Sequence, residues 1–194
     1  GELMTSATIT DRLVALSRAL IGRIRGGLAQ VNVLVSMFFA GMNGSVVADT
    51  ATVGALVLPA MKRAGYPAAF SAAVTGVSST IGGIIPPSIM MIVLANATEI
   101  SIASLFAAGI VPGILIGVVI MVINHYFAVK HNFERSDEPF SVRRAGKELY
   151  RSSFALLIPL VLVGSVMGGV ASVVEAGAIT ALVALFTGVF VYRT

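Results

Sequence analysis

Two short polar segments interrupt the long apolar stretches of this chain, and both combine helix-breaking residues with serine. Residues 41–45 read GMNGS, and residues 79–88 read STIGGIIPPS. Glycine and successive prolines stop helices and leave main-chain carbonyl and N–H groups without helical partners. Such carbonyls, together with the Ser45 hydroxyl, are hard oxygen ligands suited to Na⁺. Ser45 and Ser88 can cap helix N-termini, whose free N–H groups suit a carboxylate.

One carboxylate stands close to the first segment. Asp49 follows Ser45 by four residues, which is about one helical turn. An ionisable side chain inside an apolar segment is commonly functional, which favours a carboxylate coupled to a cation or a proton. The alternative is an acidic residue that is stabilised by the helix N-terminus and has no further role. The sequence leaves both interpretations open.

The first segment divides an apolar stretch that is too long for one membrane span. A single helix over residues 27–61 would measure roughly 52 Å, against about 30 Å for a hydrocarbon core, whereas each separate arm falls short of spanning. Basic residues mark the cytoplasmic side, and they flank both ends of the stretch at Arg23, Arg25, Lys62 and Arg63. Residues 27–63 are therefore predicted to form a re-entrant helical hairpin with its polar tip inside the membrane.

The other stretches complete an all-α polytopic membrane protein. Residues 1–26 are predicted to form an amphipathic cytoplasmic connector helix, with an apolar stripe at Leu13, Leu16, Leu20 and Ile24. Residues 66–98 are predicted to form a discontinuous transmembrane helix, because non-helical chain at membrane depth must be buried in protein or line a cavity. The remainder is predicted to form a span at 100–129, a basic cytoplasmic loop at 130–151 and two further spans within 153–192.

The composition supports this membrane assignment. Hydrophobic residues make up 57% of the chain, charged residues make up 11%, and the mean hydropathy is +0.96. The net charge of +4 arises in short connecting segments, which is typical of membrane orientation and argues against nucleic-acid binding. The first residue is not methionine, and the last residues follow an apolar run directly. We therefore expect the chain to be a piece of a longer polypeptide.

Two side-chain pairs have simple explanations. Ser45 and His125 are the residue types of a hydrolytic pair, but His125 is predicted near the cytoplasmic end of its span and Ser45 at mid-membrane. No enzyme is therefore predicted. Glu175 stands three residues after Ser172, which predicts a capping box at the start of the following helix.

The motifs together resemble a known family. The likeness is carried, in this order, by the runs GMNGSVVADTATVGALVLPAMKRAGY, AAVTGVSSTIGGIIPPS and SIASLFAAGIVPG. They are similar to the large membrane subunit (the M subunit, DctM-like) of the tripartite ATP-independent periplasmic (TRAP) transporters. The likeness extends over nearly all the chain, through GELMTSATITDRL near the start and VVEAGAITALVALFTGVFVYR at the end.

The resemblance implies an elevator-type Na⁺ symporter in the bacterial inner membrane that imports organic acids such as dicarboxylates, sialic acid or other sugar acids. It implies two protein partners, a periplasmic solute-binding protein and a small membrane subunit, with Na⁺ as the co-transported ion and no organic cofactor. Carried over by motif, the Na⁺ ligands would be Ser45, Gly82, Ile84 and Pro87. The residues at the substrate would be Asn43, Gly44, Ser45 and Ser88.

The chain departs from the family pattern at two places. The tip has Met42 and Asn43 where the family often has a small residue and serine, and residues 171–175 read ASVVE where the family has Thr-Pro-Thr-Glu. The family's second, inverted half is not contained in these residues. Two other functions stay open: a related Na⁺/dicarboxylate carrier that works without a binding protein, and a scaffold or channel subunit that does not couple transport to Na⁺.

Overall fold

Every regular element that the structure describes is a helix. This computed structural model describes residues 7–21, 24–133 and 141–186, so parts of the predicted connector helix, basic loop and last span lie outside the described residues. The α-helices in these ranges are α1 (Ala7–Ile21), α2 (Gly27–Asn43), α3 (Val46–Arg63), α4 (Ala68–Ser79), α5 (Ile89–Thr98), α6 (Ile102–Lys130), α7 (Val142–Met167) and α8 (Val173–Phe186). The predicted all-α class is confirmed for the described residues.

Helices α2 and α3 form a hairpin with a two-residue turn. Gly44 ends α2 in the left-handed conformation (φ 59°), and its N–H donates to the Ala40 carbonyl at 3.2 Å. Ser45 begins α3, and its hydroxyl oxygen accepts from the Ala48 N–H at 3.4 Å. The arms run antiparallel, because the Asn32 side chain near the start of α2 meets Met61 near the end of α3. The predicted helix break and the predicted Ser45 cap are both confirmed.

The second break separates α4 from α5. Residues 80–83 (Thr80–Gly83) form one 3₁₀ turn rather than the unwound chain that we predicted there. The turn persists because the N–H groups of Ile84 and Ile85 both donate to the Ile81 carbonyl at 2.9 Å. Only residues 84–88 lack helix, since the prolines within them have no N–H to donate. Ser88 caps α5 as predicted, by accepting from the Met91 N–H at 3.3 Å.

Helix α2 is the centre of the bundle. It packs against α1, α3, α4, α6 and α7. The hydrophobic core that surrounds it includes the fully buried side chains of Val33, Val35 and Phe39 on α2, Val53 on α3 and Ile81 in the 3₁₀ turn. The arm of the hairpin that leads to the tip is therefore enclosed, whereas α3 keeps one exposed side.

Helix α6 is the longest apolar element. It has 29 residues, and the mean hydropathy of its most apolar part is 2.7. Among the described residues it is the one unbroken helix that is long and apolar enough to cross a membrane, and α7 qualifies as a second only if its two bent arms are counted together. The number of spans therefore stays a prediction.

Helix α7 corrects the prediction of a loop up to residue 151. The chain is already helical from Val142. The reason is that this basic segment is rich in good helix formers such as arginine, alanine, lysine, glutamate and leucine, whereas our prediction used only its charge. Helix α7 bends by 60° between its arms Val142–Ser153 and Ala155–Met167. Pro159 explains the bend, because its ring clashes with the carbonyl four residues earlier, at Ala155.

Helix α1 packs against α2 and α7 along a face that differs from the predicted stripe. Leu13 and Leu16 are fully buried, but Leu20 is exposed, and so is Ile24 after the end of the helix. Ile21 takes their place in the core. The stripe prediction was therefore right for its first half and wrong for its second half.

The predicted capping box of α8 is confirmed. The Glu175 carboxylate accepts from the Ser172 N–H at 2.8 Å and from the Ser172 hydroxyl at 2.7 Å. The Ser172 hydroxyl oxygen accepts in turn from the Glu175 N–H at 3.3 Å.

Candidate functional site

The hairpin tip and the proline break meet through main-chain atoms. The Ile89 N–H at the start of α5 donates to the Gly44 carbonyl at 3.1 Å. A Cβ added to Gly44 would collide with the Pro87 carbonyl oxygen and would lie 3.0 Å from the Pro87 carbonyl carbon. Position 44 therefore requires glycine for two reasons: its φ is positive, and Pro87 occupies the space that a Cβ would need. Two breaks that lie more than forty residues apart in sequence form one site.

Ser45 and Gly82 face each other across this site. A Cβ added to Gly82 would lie 3.7 Å from the Ser45 carbonyl carbon and 3.8 Å from the Ser45 carbonyl oxygen. These are ordinary contact distances, so the small gap between the 3₁₀ turn and the start of α3 admits a methyl group but not a long side chain. The structure thus brings together Ser45, Gly82 and, through Gly44, Pro87.

Ile84 is placed differently from the other residues predicted to bind Na⁺. Its carbonyl oxygen faces α6, where it would lie 2.5 Å from a Cβ added to Gly109. Ile85 packs on Gly113, and Met37 of α2 packs on Gly117 in the same way. The glycines at positions 109, 113 and 117 form a flat strip on α6 that supports the break and the hairpin. Our sequence interpretation missed this strip, although the four-residue spacing of small residues is a known signal of close helix packing.

Ser88 is fully buried, and its hydroxyl is engaged on both sides. It donates to the Gly83 carbonyl at 2.7 Å and caps α5 through Met91. In this arrangement Ser88 holds the break closed around the prolines. Asn43, the last residue of α2, is half-buried beside the tip. The predicted substrate contacts of both residues stay predictions.

Asp49 is the charged group of the site. It lies in the first turn of α3, is 1% exposed, and neither of its carboxylate oxygens accepts a well-aligned hydrogen bond. The hydroxyl groups of Ser36 and Ser79 lie beside it. A buried carboxylate without a partner is costly unless a cation or a proton neutralises it. The alternative from the sequence, an acidic residue stabilised by the helix N-terminus, stays open, because Asp49 lies in the first turn of α3.

A buried network of polar side chains continues from Asp49 between α2 and α4. The Asn32 amide donates to the Thr75 hydroxyl at 2.7 Å and accepts from the Ser78 hydroxyl at 3.0 Å. Ser36 reaches Ser78 at 3.4 Å, and Ser79 donates to the Thr75 carbonyl at 2.8 Å. These residues are at most 2% exposed. The network joins the first arm of the hairpin to α4, and our sequence interpretation did not identify it.

The opposite end of the hairpin packs near the last turn of α6. The Arg25 guanidinium donates to the Asn132 side-chain oxygen at 2.8 Å, and the rings of Tyr66 and Phe133 lie 4.8 Å apart. Arg25, the pair Lys62 and Arg63, and Lys130 therefore lie at one end of the bundle, and the tip lies away from it. The arrangement is a polar, main-chain-lined site inside an apolar bundle, away from the end where these four basic residues lie.

Comparison with known proteins gives the same family along the whole chain. Residues 1–194 match the family model described as the tripartite ATP-independent periplasmic transporter, DctM component. The chain is 38% identical over 193 residues to the C4-dicarboxylate TRAP transporter large permease protein DctM of Pseudomonas aeruginosa. It is 35% identical over 194 residues to the sialic acid TRAP transporter large permease protein SiaM of Vibrio cholerae.

A third relative is the 2,3-diketo-L-gulonate TRAP transporter large permease protein YiaN of Escherichia coli, at 36% identity over 193 residues. In each of these comparisons the match covers 100% of this chain and 45% of the relative. The chain therefore spans less than half the length of the curated relatives that it matches. It belongs to the DctM-component family of the tripartite ATP-independent periplasmic transporters, a family of membrane proteins.

Proposed function

We propose that the protein to which this chain belongs is the large permease subunit of a Na⁺-coupled transporter that imports organic acids across the bacterial inner membrane. The observation that carries the proposal is the junction of two helix breaks one helical turn from a buried carboxylate, Asp49, which accepts no well-aligned hydrogen bond. Discontinuous helices that meet in this way are the usual binding architecture of secondary transporters. Acids are the proposed substrates because the relatives are named for a C4-dicarboxylate, sialic acid and 2,3-diketo-L-gulonate.

Na⁺ is the proposed coupling ion because the site offers oxygen ligands and an uncompensated negative charge. The ligands that we propose first are Ser45 and Gly82, which face each other, with Asp49 one turn away. The Pro87 carbonyl stays in the proposed set as a flank of the site, whereas the Ile84 carbonyl, which faces Gly109 of α6, does not. A bound cation would neutralise Asp49, and it would also strengthen the attraction of the α3 and α5 N-termini for a substrate carboxylate.

The hairpin is proposed to re-enter the membrane from the cytoplasm. Helices α2 and α3 have 17 and 18 residues, so each is about 27 Å long and shorter than a hydrocarbon core of about 30 Å. The proline break, which meets the tip, packs on Gly109 and Gly113 of α6, roughly 10–17 Å from the first residue of that helix. This depth and the shared basic end support a tip inside the bilayer. A rigid hairpin of this kind suits an elevator-type movement.

The proposed partners are a periplasmic solute-binding protein, which delivers the acid, and a small membrane subunit. They follow from the tripartite description of the family. Reconstituting the full complex with and without the binding protein tests this part. Uptake that is equally fast without the binding protein would favour a carrier that works alone.

The Na⁺ site is tested by substitutions in the full-length protein, reconstituted with its partners in proteoliposomes. Gly82→Leu fills the gap beside Ser45, so Na⁺-dependent uptake should be abolished. Gly82→Ala is the matched control, because its Cβ fits at 3.7 Å from the nearest atom of Ser45 and most of the uptake should remain. Na⁺-dependent uptake that survives Gly82→Leu unchanged would refute the site.

Asp49→Asn removes the negative charge of the side chain and keeps nearly the same shape. The Na⁺ concentration for half-maximal uptake should rise about tenfold or more, since a loss of about 1.4 kcal/mol of interaction with the cation is sufficient. Ser45→Ala should also weaken the dependence on Na⁺. An Asp49→Asn protein with unaltered Na⁺ dependence would leave Asp49 without a coupling role.

A further inference from the structure

The first arm of α7 carries three distinct faces. Ser152 is fully buried, and its hydroxyl donates to the Arg12 carbonyl of α1 at 3.3 Å, which defines the face that packs on protein. Val142 and Leu149, seven residues apart, lie along a second line and are 76% and 52% exposed. The third face carries the basic residues Arg143, Lys147 and Arg151 at four-residue spacing.

The basic face has a clear excess of positive charge. Residues 141–151 contain four basic residues and one acidic residue, Glu148. Glu148 forms an ion pair with Arg151, at an N–O distance of 3.3 Å, so it offsets one of these positive charges. Arg143 and Lys147 are exposed, and at about 100° per residue they lie roughly 100° and 140° around the helix from Val142, so the basic face is on a different side of the arm from the apolar line. An apolar strip on one side and a basic face on the other is the pattern of a helix that lies at a membrane surface.

The bend of α7 supports the same orientation. The second arm, Ala155–Met167, is apolar, and the first arm leaves it at 60°. If the apolar arm follows the bilayer normal, the first arm lies closer to the plane of the bilayer than to its normal. Tyr150, which is 82% exposed on this arm, is a residue type enriched at the level of the lipid headgroups.

We propose that the first arm of α7 is a binding site for anionic phospholipid, in which Arg143 and Lys147 hold the headgroup phosphate and Val142 and Leu149 contact the acyl chains. Anionic lipid accounts for both exposed faces, since a membrane surface offers negative charge at the level of the headgroups and apolar surface below it. A soluble anion would leave Val142 and Leu149 in water. The site is distant in sequence from the hairpin tip and does not depend on Na⁺ coupling.

The test places a fluorophore on the first arm of α7 in the full-length protein, at Ser153→Cys, because Ser153 is exposed and these 194 residues contain no cysteine; any cysteine elsewhere in the full-length protein is first replaced by serine. The protein is reconstituted in nanodiscs of mixed phosphatidylglycerol and phosphatidylcholine, one of which is spin-labelled. Stronger quenching by spin-labelled phosphatidylglycerol than by spin-labelled phosphatidylcholine is expected. Equal quenching by the two lipids would overturn the proposal.

Charge substitutions make the test specific. Arg143→Gln with Lys147→Gln should lower the preference for phosphatidylglycerol by up to about 25-fold, since each basic residue at an anionic membrane surface contributes a factor of about five. Arg143→Lys with Lys147→Arg should keep the preference. Lys62→Gln with Arg63→Gln removes the same charge from another exposed helix end and should also leave it unchanged.

Two outcomes would contradict the proposal even if the wild-type protein prefers phosphatidylglycerol. One is an equal loss of preference in the Lys62 and Arg63 variant, which would mean that only the overall charge matters. The other is displacement of the labelled lipid by inorganic phosphate but not by chloride at equal ionic strength, which would indicate a site for free anions. Na⁺-dependent uptake measured on the same variants shows separately whether transport is intact.

Discussion

The hairpin tip and the α7–α8 connection are built from the same local parts but have different surroundings. Each has a left-handed glycine, Gly44 with φ 59° and Gly169 with φ 65°, and each has a serine at the start of the following helix. A Cβ added to Gly44 would collide with Pro87, whereas a Cβ added to Gly169 would meet nothing within 4 Å. Ser172 is exposed, but Ser88, which caps the helix that meets the tip, is fully buried.

The difference teaches that capping chemistry alone does not create a site. Glycine and serine reverse the chain at both places, as their conformational preferences require. Only at the tip does a second helix break close over the turn and exchange a main-chain hydrogen bond with it. The proposed function therefore depends on the junction of the two breaks rather than on the turn sequence GMNGS.

The largest difference is expected between Gly44→Ala and Gly169→Ala. Both variants place alanine in the left-handed region, at a cost of about 1–2 kcal/mol. Gly44→Ala must in addition displace Pro87, so it should lower the melting temperature much further and abolish Na⁺-dependent uptake. Uptake and thermal unfolding of the full-length protein measure both effects. Equal losses in the two variants would mean that the tip is no more constrained than an exposed turn.

The α6 glycine strip provides the next test. Its control substitution is expected to change the stability of the protein in the opposite direction. Gly109→Ala brings a methyl group to 2.5 Å from the Ile84 carbonyl oxygen, and such overpacking costs about 1–3 kcal/mol. Gly164→Ala, in α7, meets nothing within 4 Å and should stabilise the helix by about 0.5–1 kcal/mol. Thermal unfolding of the two variants should therefore shift in opposite directions. A stabilising Gly109→Ala would show that the break does not rest on α6.

The smallest expected difference is between the two serine caps. Ser88→Ala removes the cap of α5 and leaves the Gly83 carbonyl without its donor, which should cost about 1–3 kcal/mol. Ser172→Ala should cost less, because water can reach the exposed groups that it leaves. Hydrogen exchange at the first turns of α5 and α8 measures the two losses. Similar exchange at both helices would contradict the tighter closure of the tip.

The breaks themselves were predictable because their causes are local. The successive prolines 86 and 87 remove two neighbouring N–H donors, Gly44 adopts the left-handed conformation that ends a helix, and Ser45 and Ser88 accept from N–H groups three residues ahead. The capping box at Glu175 was predictable for the same reason. Where such a signal stood at the end of a helix, the predicted end agreed with the structure to within a few residues.

The contacts across the bundle were not predictable from one sequence. In the buried network, Asn32 bonds to Thr75 and Ser78, which lie 43 and 46 positions further along the chain. No local sequence preference predicts such a pairing. The burial of Asp49 and the direction of the Ile84 carbonyl likewise depend on which helices pack beside them. The α6 strip could have been predicted, since the four-residue spacing of its glycines is visible in the sequence.

The hydrogen bond from the Ile89 N–H to the Gly44 carbonyl is made by main-chain atoms on both sides. Replacing the side chain at position 43 removes neither atom, so this hydrogen bond between the two breaks can persist when Asn43 is changed. In the proposed transporter, a substitution there would therefore leave the closure of the site in place. Position 43 is accordingly the first choice for directed changes of specificity.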